Sequence, residues 1–175
     1  MKSQFFFFTQ DVKRLLGKYK IRILHIWLSR AFFGIFIYRL ERAFFLIFGN
    51  SYSKIRILFL PLFNIIYAYS NIEINYKADI KGGILILHPA VGVVISGFSV
   101  IGENITLTGG NVIGANTFCK PGGIKIGNNC SLGANAVIIG PIVLLDNINI
   151  GASACVVKDC LQNNVTLVGV PAKEI

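Results

Sequence analysis

The feature that most constrains this fold is a six-residue spacing of aliphatic side chains. Ile101, Leu107 and Ile113 are six residues apart. The same step links the members of two further runs, which are Ile74, Ile80 and Ile86, and Ile126, Leu132, Ile138, Leu144, Ile150 and Val156. A period of six matches neither an α-helix nor an ordinary alternating strand. It is typical of a solenoid in which each short strand turns one aliphatic residue inward and the chain then turns a corner on Gly, Asn or Asp. We therefore predict a mainly β solenoid for residues 71–175.

The repeat is interrupted twice. After Ile86 the next aliphatic anchor is Val94 or Ile95, which predicts that the chain bulges around His88. Between Ile113 and Ile126 the step is 13 residues, which equals two repeats plus one residue and includes the loop "CKPGGIK".

Charge and aromatic content divide the chain near residue 70. Residues 1–70 hold 11 Lys and Arg against two acidic residues, whereas residues 71–175 hold six Lys and six acidic residues. Of the 21 aromatic residues, 18 precede residue 71. The sequence thus predicts two parts, which are a helical membrane-associating or oligomerising region over residues 1–70 and a solenoid domain over residues 71–175.

The basic N-terminal region does not resemble a secretory signal, because "FFFF" precedes the basic run. Its longest charge-free run, from Ile57 to the residue before Glu73, contains Pro61 and Asn64, so a membrane span is not favoured. Charges among Phe, Leu and Ile indicate helices that lie on the inner face of an anionic membrane. The alternative is a buried helical pack or an oligomer interface. Bulky aliphatic side chains among the cations disfavour nucleic acid as a partner.

Two stretches carry a family resemblance. The repeat and the ending "VTLVGVPAKEI" resemble the left-handed β-helix acyltransferases. The stretch "GGILILHPAVGVVISGFSVIGENITLTGG" is similar to the catalytic segment of the serine acetyltransferase group. This resemblance implies a left-handed parallel β-helix, acetyl-CoA as co-substrate without a metal, and a homotrimer.

His88 is the candidate catalytic residue. Acetyl transfer to an alcohol needs a base that takes the hydroxyl proton and returns it to the departing thiolate, and imidazole is suited to both tasks near neutral pH. The resemblance implies that His88 is this general base. A structural imidazole satisfied at a strand corner is the alternative. His25 lies in no such motif and is assigned no chemistry.

The acceptor is predicted from departures from the serine acetyltransferase pattern. That group places Asp before the histidine, where this chain has Leu87, and residues 71–175 contain no Arg to clamp a carboxylate. The sequence therefore favours a sugar hydroxyl of a surface polysaccharide or its lipid-linked precursor, as in the capsule and exopolysaccharide O-acetyltransferases. Serine O-acetylation, N-acetylation of an amino-sugar nucleotide and a non-enzymatic scaffold are the alternatives.

The remaining site residues follow from the resemblance. Small residues expected along the pantetheine arm of acetyl-CoA are Gly109, Gly110, Gly133, Ala134, Gly151 and Ala152, with Lys158 and Lys173 near its phosphates. Expected acceptor contacts are Asn104, Asn111 and Lys120. A backbone N–H of Gly109 or Gly110 is expected to hold the oxyanion. For the glycines and asparagines, corner turning is the alternative role. The four cysteines form no CxxC pair, so free thiols and no metal site are expected in a cytoplasmic protein.

Overall fold

The computed structural model describes residues 3–175 and begins with three α-helices. These are α1 (Gln4–Leu16), α2 (Arg30–Phe48) and α3 (Tyr52–Ser70), with short 3-10 helices at Lys20–Leu24, Ile26–Leu28 and Gly49–Ser51. Ser3 caps α1 by accepting a hydrogen bond from the Phe6 N–H at 3.2 Å. Within the described residues, no helix has both the length and the apolar character needed to cross a membrane.

Fifteen short strands follow the helices. They are β1 (Ile72–Ile74), β2 (Asp79–Ile80), β3 (Leu85–Ile86), β4 (Val93–Ile95), β5 (Ser99–Ile101), β6 (Thr106–Leu107), β7 (Asn111–Ala115), β8 (Ile124–Ile126), β9 (Ser131–Leu132), β10 (Val137–Gly140), β11 (Ile142–Leu144), β12 (Asn149–Ile150), β13 (Cys155–Val156), β14 (Thr166–Val168) and β15 (Lys173–Glu174). A further 3-10 helix, Pro89–Val91, lies between β3 and β4.

The strands form the three faces of a prism. The first sheet has the order β1-β4-β7-β10-β13, the second β2-β5-β8-β11, and the third β3-β6-β9-β12-β14-β15. Each of the first four coils supplies one strand to each sheet in turn, and the last coil supplies β13 to the first sheet and β14 to the third. The pairs between coils are parallel, whereas β15 returns antiparallel to β14. This architecture is a left-handed parallel β-helix with an N-terminal helical region, which confirms the predicted fold class.

The six-residue repeat forms the core of the prism. Ile74, Ile95, Ile113, Ile138 and Val156 stack in register along the first sheet, and all are buried. A second inward position, two residues earlier, was not predicted. It is occupied by residues that include Ala78, Ile84, Ile105, Cys130, Ala136, Ile142, Ile148 and Ala154. Because side chains alternate along a strand, each rung turns two residues inward rather than one.

The long step in the repeat also differs from the prediction. Ile113 lies in β7 of the first sheet and Ile126 in β8 of the second sheet, so only one rung separates them. The 13-residue step is therefore one repeat plus seven extra residues, which the loop over residues 116–123 accommodates, and not two repeats plus one residue.

The helices close one end of the solenoid core. Ala31, Ile35 and Tyr38 of α2 belong to the same buried cluster as the solenoid isoleucines. The Tyr38 hydroxyl donates to the Ala78 carbonyl at 3.0 Å and accepts from the Ile80 N–H at 3.1 Å. Helix α2 thus covers apolar surface that the first coil would otherwise expose to water.

Candidate active site

His88 lies at the corner where the chain passes from the third sheet to the first. Its N–H donates to the Thr108 carbonyl at 2.9 Å, and its carbonyl accepts from the Val91 N–H at 3.3 Å. The residue is exposed, and within residues 3–175 its imidazole makes no hydrogen bond or ion pair. The backbone is therefore fixed while the ring remains available to a ligand. This arrangement does not support the alternative of a satisfied structural imidazole.

The small residues predicted from the resemblance lie at the same corner as His88, one coil after another. Gly109 and Gly110 lie between β6 and β7, Gly133 and Ala134 between β9 and β10, and Gly151 and Ala152 between β12 and β13. We call this row the corner column. Adjacent coils of a β-solenoid are about 4.8 Å apart, so the four steps from His88 to the corner after β14 span roughly 19 Å. The column offers a narrow, side-chain-poor track for an extended arm.

Close packing against His88 explains why a glycine occupies position 109. An added Cβ there would lie 2.5 Å from the His88 carbonyl oxygen and 3.3 Å from His88 Cβ. Gly109 also has a φ of 136°, which L-residues rarely adopt. The glycine therefore allows the second coil to approach the backbone of His88.

The amides of Gly109 and Gly110 do not serve as the expected oxyanion donors. The Gly109 N–H donates to Asn111 Oδ1 at 2.8 Å, and the Gly110 N–H donates to the Gly92 carbonyl at 2.7 Å. Both groups are used to close the corner, and the structure therefore offers neither of them to a ligand.

A cleft of about 490 Å³ lies beside this corner. Its lining begins two residues after His88 and comprises Tyr67, Asn71, Ile72, Glu73, Ala90, Val91, Gly92, Val93, Val94, Gly110, Asn111 and Val112. Glu73 is the one charged side chain in this lining, all of which lies in the described part of the chain. The cleft therefore favours a ligand that carries positive charge.

Glu73 was missed in the sequence, where it counted only as one of six acidic residues. It occupies the outward position of β1, between the buried residues Ile72 and Ile74. Its carboxylate is exposed and has no hydrogen-bond or salt-bridge partner within residues 3–175. The signal that could have found it is its outward position on β1, where it pairs with Val94 of β4, the strand that follows His88.

Lys158 and Lys173 come together at the far end of the solenoid. Both line a cavity of about 320 Å³, together with Asp159 and Glu174. Lys173 follows the corner column directly, because it begins β15 after the corner at Gly169. The two predicted phosphate contacts thus share one cavity at the end of the column opposite His88.

Of the three predicted acceptor residues, Asn111 lines the cleft beside His88, whereas Asn104 and Lys120 lie elsewhere. Asn104 lies at the corner between the second and third sheets, where its φ is 63° and its Nδ2 donates to Asn129 Oδ1 at 3.1 Å. Asn111 is buried, and its amide accepts from Gly109 and donates to the Gly133 carbonyl at 2.7 Å. Lys120 is exposed on the loop over residues 116–123. Both asparagines are therefore used in holding corners.

The four cysteines are free thiols, and burial raises the pKa of Cys130. Across residues 3–175, no group of three or more His, Cys, Asp or Glu side chains could hold a metal ion.

Comparison with known proteins identifies relatives of this arrangement. No family model matches the chain. Serine acetyltransferase from Helicobacter pylori strain J99 is 36% identical over 107 residues, which are 61% of each protein. The crystal structure of Neisseria gonorrhoeae serine acetyltransferase superposes with a TM-score of 0.80 and 26% identity, covering 98% of this chain and 66% of that one. Soybean serine acetyltransferase in complex with serine gives a TM-score of 0.79 and 28% identity, covering 99% and 70%.

Fold, repeat and similarity together define a protein of the hexapeptide-repeat acyltransferase superfamily. Within it, the chain is similar to the serine acetyltransferases. It spans about three fifths of the length of the Helicobacter relative that it matches.

These similarities correct the predicted acceptor. The assignment to polysaccharide O-acetylation, with its capsule and exopolysaccharide relatives, is wrong, because similar proteins are serine acetyltransferases and two neighbouring structures hold serine. The prediction gave too much weight to the missing arginine. The lone negative charge of the cleft, which the sequence did not reveal, also favours an acceptor with an ammonium group over an uncharged sugar hydroxyl.

Proposed function

We propose that this chain is an acetyl-CoA-dependent O-acetyltransferase whose acceptor is the hydroxyl group of serine. The observation that carries the proposal is the placement of an exposed, unpartnered His88 at one end of the corner column, beside a cleft whose only charged lining residue is Glu73. Similarity to serine acetyltransferases over 107 residues supports the same reaction.

In this reaction His88 acts as the general base. Its imidazole takes the proton from the serine Oγ as that oxygen attacks the thioester carbonyl carbon. The tetrahedral intermediate then collapses, the carbon–sulfur bond breaks, and the imidazolium returns the proton to the CoA sulfur. The products are O-acetylserine and CoA, and the histidine ends in its starting state.

Glu73 supplies the charge that recognises the acceptor. Its unpaired carboxylate lines the cleft and can hold the serine ammonium through a charge-assisted hydrogen bond. This contact distinguishes serine from hydroxyl compounds without an amine. Amino-sugar nucleotides also carry an amine, and they are therefore the second acceptor class to assay.

Acetyl-CoA would lie along the corner column. Its acetyl end would be beside His88, its pantetheine arm against Gly109, Gly110, Gly133, Ala134, Gly151 and Ala152, and its phosphates near the cavity that Lys158 and Lys173 line. Small residues allow the arm to approach the backbone, and the two ammonium groups offset phosphate charge.

The acceptor carboxylate requires a cation that one chain does not place in the cleft. Lys120 lies on the loop between the first and second sheets, so the width of the first sheet separates it from the His88 corner. The outward face of that sheet carries a partly exposed ladder of Val94, Val112 and Val137. We infer a homotrimer packed through this ladder, in which Lys120 of one copy reaches the cleft of the next.

The experiment is a CoA thiol-release assay with serine, an amino-sugar nucleotide and polysaccharide repeat units as acceptors. We expect turnover with serine and a loss of at least about a hundredfold in His88→Ala. The matched control is His25→Ala, which removes the other histidine of the chain. His25 lies in the helical region and not in the solenoid. Turnover of repeat units alone, or equal activity of the two variants, would overturn the proposal.

The helical region enters this function only as a support for the solenoid. A peripheral contact with the inner face of the cytoplasmic membrane is a separate proposal, which the surface of the helices supports independently of the reaction.

A further inference from the structure

One face of α3 is apolar and exposed. Leu58, Leu62, Ile65 and Tyr69 are spaced by four, three and four residues and therefore share a helix face. Their side chains are 81%, 52%, 67% and 46% exposed. A helix that packs on a protein core buries such a stripe, whereas this one presents it to the surroundings.

The stripe continues onto the segment between α1 and α2. The Tyr69 hydroxyl donates to the Leu28 carbonyl at 3.1 Å, which joins the end of α3 to this segment. Its exposed large apolar residues are Ile21, Ile23, Leu24, Trp27 and Leu28. We call the stripe and residues 21–28 together the docking face.

Within the helical region, the exposed charge around the docking face has one sign. The acidic residues of the helical region are Asp11 and Glu41, and both are 0% exposed. Asp11 pairs with Arg39 and Glu41 with Arg56. The described surface of residues 3–70 therefore presents cations and no carboxylate.

Cations flank the docking face at both ends. Lys54 is exposed and lies four residues before Leu58, at the start of the apolar stripe. At the other end, the Arg30 guanidinium lies 5.8 Å from the centroid of the Tyr69 ring, and Arg22 is exposed within the segment. Cations at the rim of an apolar strip, with Trp and Tyr within it, suit the boundary between lipid headgroups and acyl chains.

Charge also distinguishes between possible occupants of this face. A second copy would bring like charges together, and the helical surface has no carboxylate to offset them. An anionic bilayer supplies both an apolar layer and negative charge, and the helices are not of the kind that spans it. We propose that the docking face binds the surface of an anionic lipid bilayer, with α3 lying in the headgroup region.

The test is flotation of the full chain with phosphatidylcholine vesicles that contain or lack phosphatidylglycerol. The expected result is binding to the anionic vesicles only, weakened by added salt. The variant Leu58→Ser/Ile65→Ser is expected to lower the bound-to-free ratio at least about tenfold. Lys54→Gln/Arg22→Gln is expected to lower it about fivefold for each charge removed.

Matched controls place the same changes on the solenoid surface. Phe118→Ser/Leu161→Ser removes two exposed apolar residues, and Lys125→Gln removes an exposed cation. These variants are expected to float like the unmodified chain. Equal losses in both sets, or no binding to anionic vesicles, would overturn the proposal.

Sedimentation velocity without lipid identifies the competing occupant. A fall in molecular mass in Leu58→Ser/Ile65→Ser would show that the face binds another copy and would also overturn the proposal. Thiol release without vesicles should be unchanged in Leu58→Ser/Ile65→Ser and in Lys54→Gln/Arg22→Gln. Failure of lipid binding and failure of the proposed reaction can therefore be told apart.

Discussion

Asp11 and Arg39 form an ion pair inside the protein, with 2.8 Å between Asp11 Oδ2 and Arg39 Nε and both side chains buried. Asp11 Oδ1 also accepts from the N–H groups of Gly83 and Ile84, each at 2.7 Å. Arg39 donates to the carbonyls of Ile80 and Lys81, again at 2.7 Å. Two helices are thereby joined to a single corner of the first coil. The pair makes the helical region and the solenoid one folded unit.

Breaking this pair should destabilise the whole protein. Asp11→Asn would leave the buried Arg39 guanidinium without a counter-charge, and we expect a loss of about 3–5 kcal/mol in the free energy of unfolding. Urea denaturation followed by circular dichroism measures the change. The control Glu174→Gln alters an exposed carboxylate and should cost less than about 0.5 kcal/mol. Similar small losses in both variants would show that the pair does not join the two parts.

Tyr38 should make stability fall at high pH. Burial raises the pKa of its hydroxyl from 10.0 to about 12. An unfolded tyrosine ionises first, so this contribution is complete below pH 10 and is lost as the pH rises from about 10 to 12. Burial also raises the pKa of Tyr52 and Tyr67, which adds to the same slope.

The variant Tyr38→Phe isolates this contribution. It loses two buried hydrogen bonds and should be about 1–3 kcal/mol less stable at neutral pH, with a shallower decline above pH 10. Urea midpoints across that pH range measure both effects. Tyr19→Phe, which alters an exposed tyrosine, should keep the original slope. A Tyr38→Phe curve parallel to that of the unmodified chain would contradict the assignment.

Coil spacing should make Gly133 intolerant of a side chain. A Cβ at Gly133 would lie 2.6 Å from the backbone nitrogen of Ala152 on the next coil, and that backbone cannot move without separating the coils. We expect Gly133→Ala to cost about 1–3 kcal/mol. At Gly114 the nearest atom is the flexible Ile139 Cδ1 at 3.4 Å, so Gly114→Ala should be tolerated. The thermal unfolding midpoints of the two variants measure the difference. Equal midpoints would argue against tight stacking of the coils at Gly133.

The solenoid could be predicted from sequence because its core imposes a strict rule. Every rung must bury an aliphatic residue at the same place, and Ile74, Ile113 and Ile138 obey that rule. The second inward position is less evident in the sequence because residues of different size and type fill it, from Ala78 and Cys130 to Ile84. The volume available at this position, and not hydrophobic character alone, determines which side chain can be buried there.

The site was less predictable because its parts meet only in three dimensions. His88 could be singled out because it lies in a break in the repeat. Glu73 reaches the cleft from the preceding coil, beside Val94, and no local sequence motif indicates that the two residues are neighbours. The roles predicted for Asn104 and Asn111 stay predictions, because the residue type that binds a ligand also stabilises a corner, as both do here. Similarly, counting charges over residues 1–70 could not reveal that both carboxylates are buried.

Glu73 should control recognition of the acceptor amine. Because its carboxylate is the only charge lining the cleft, Glu73→Gln is expected to raise the KM for serine about tenfold or more and to leave the KM for acetyl-CoA unchanged. The unmodified chain should discriminate against 3-hydroxypropionate, which lacks the ammonium group, and the variant should discriminate less. Glu103→Gln, at a different corner, is the control. If the variant kept full discrimination, Glu73 would not contact the amine.

Lys173 should contribute to binding of acetyl-CoA and not to the chemical step. It lines the cavity at the end of the corner column, four coils from His88, and there it can meet a phosphate. Lys173→Gln is expected to raise the KM for acetyl-CoA about fivefold to tenfold, with kcat and the KM for serine unchanged. Added salt should narrow the difference between variant and unmodified chain, because it screens an exposed charge pair. Lys125→Gln, on the outward face of the second sheet, should have no effect on either constant. A fall in kcat without a change in the KM for acetyl-CoA would show that Lys173 does not contact acetyl-CoA.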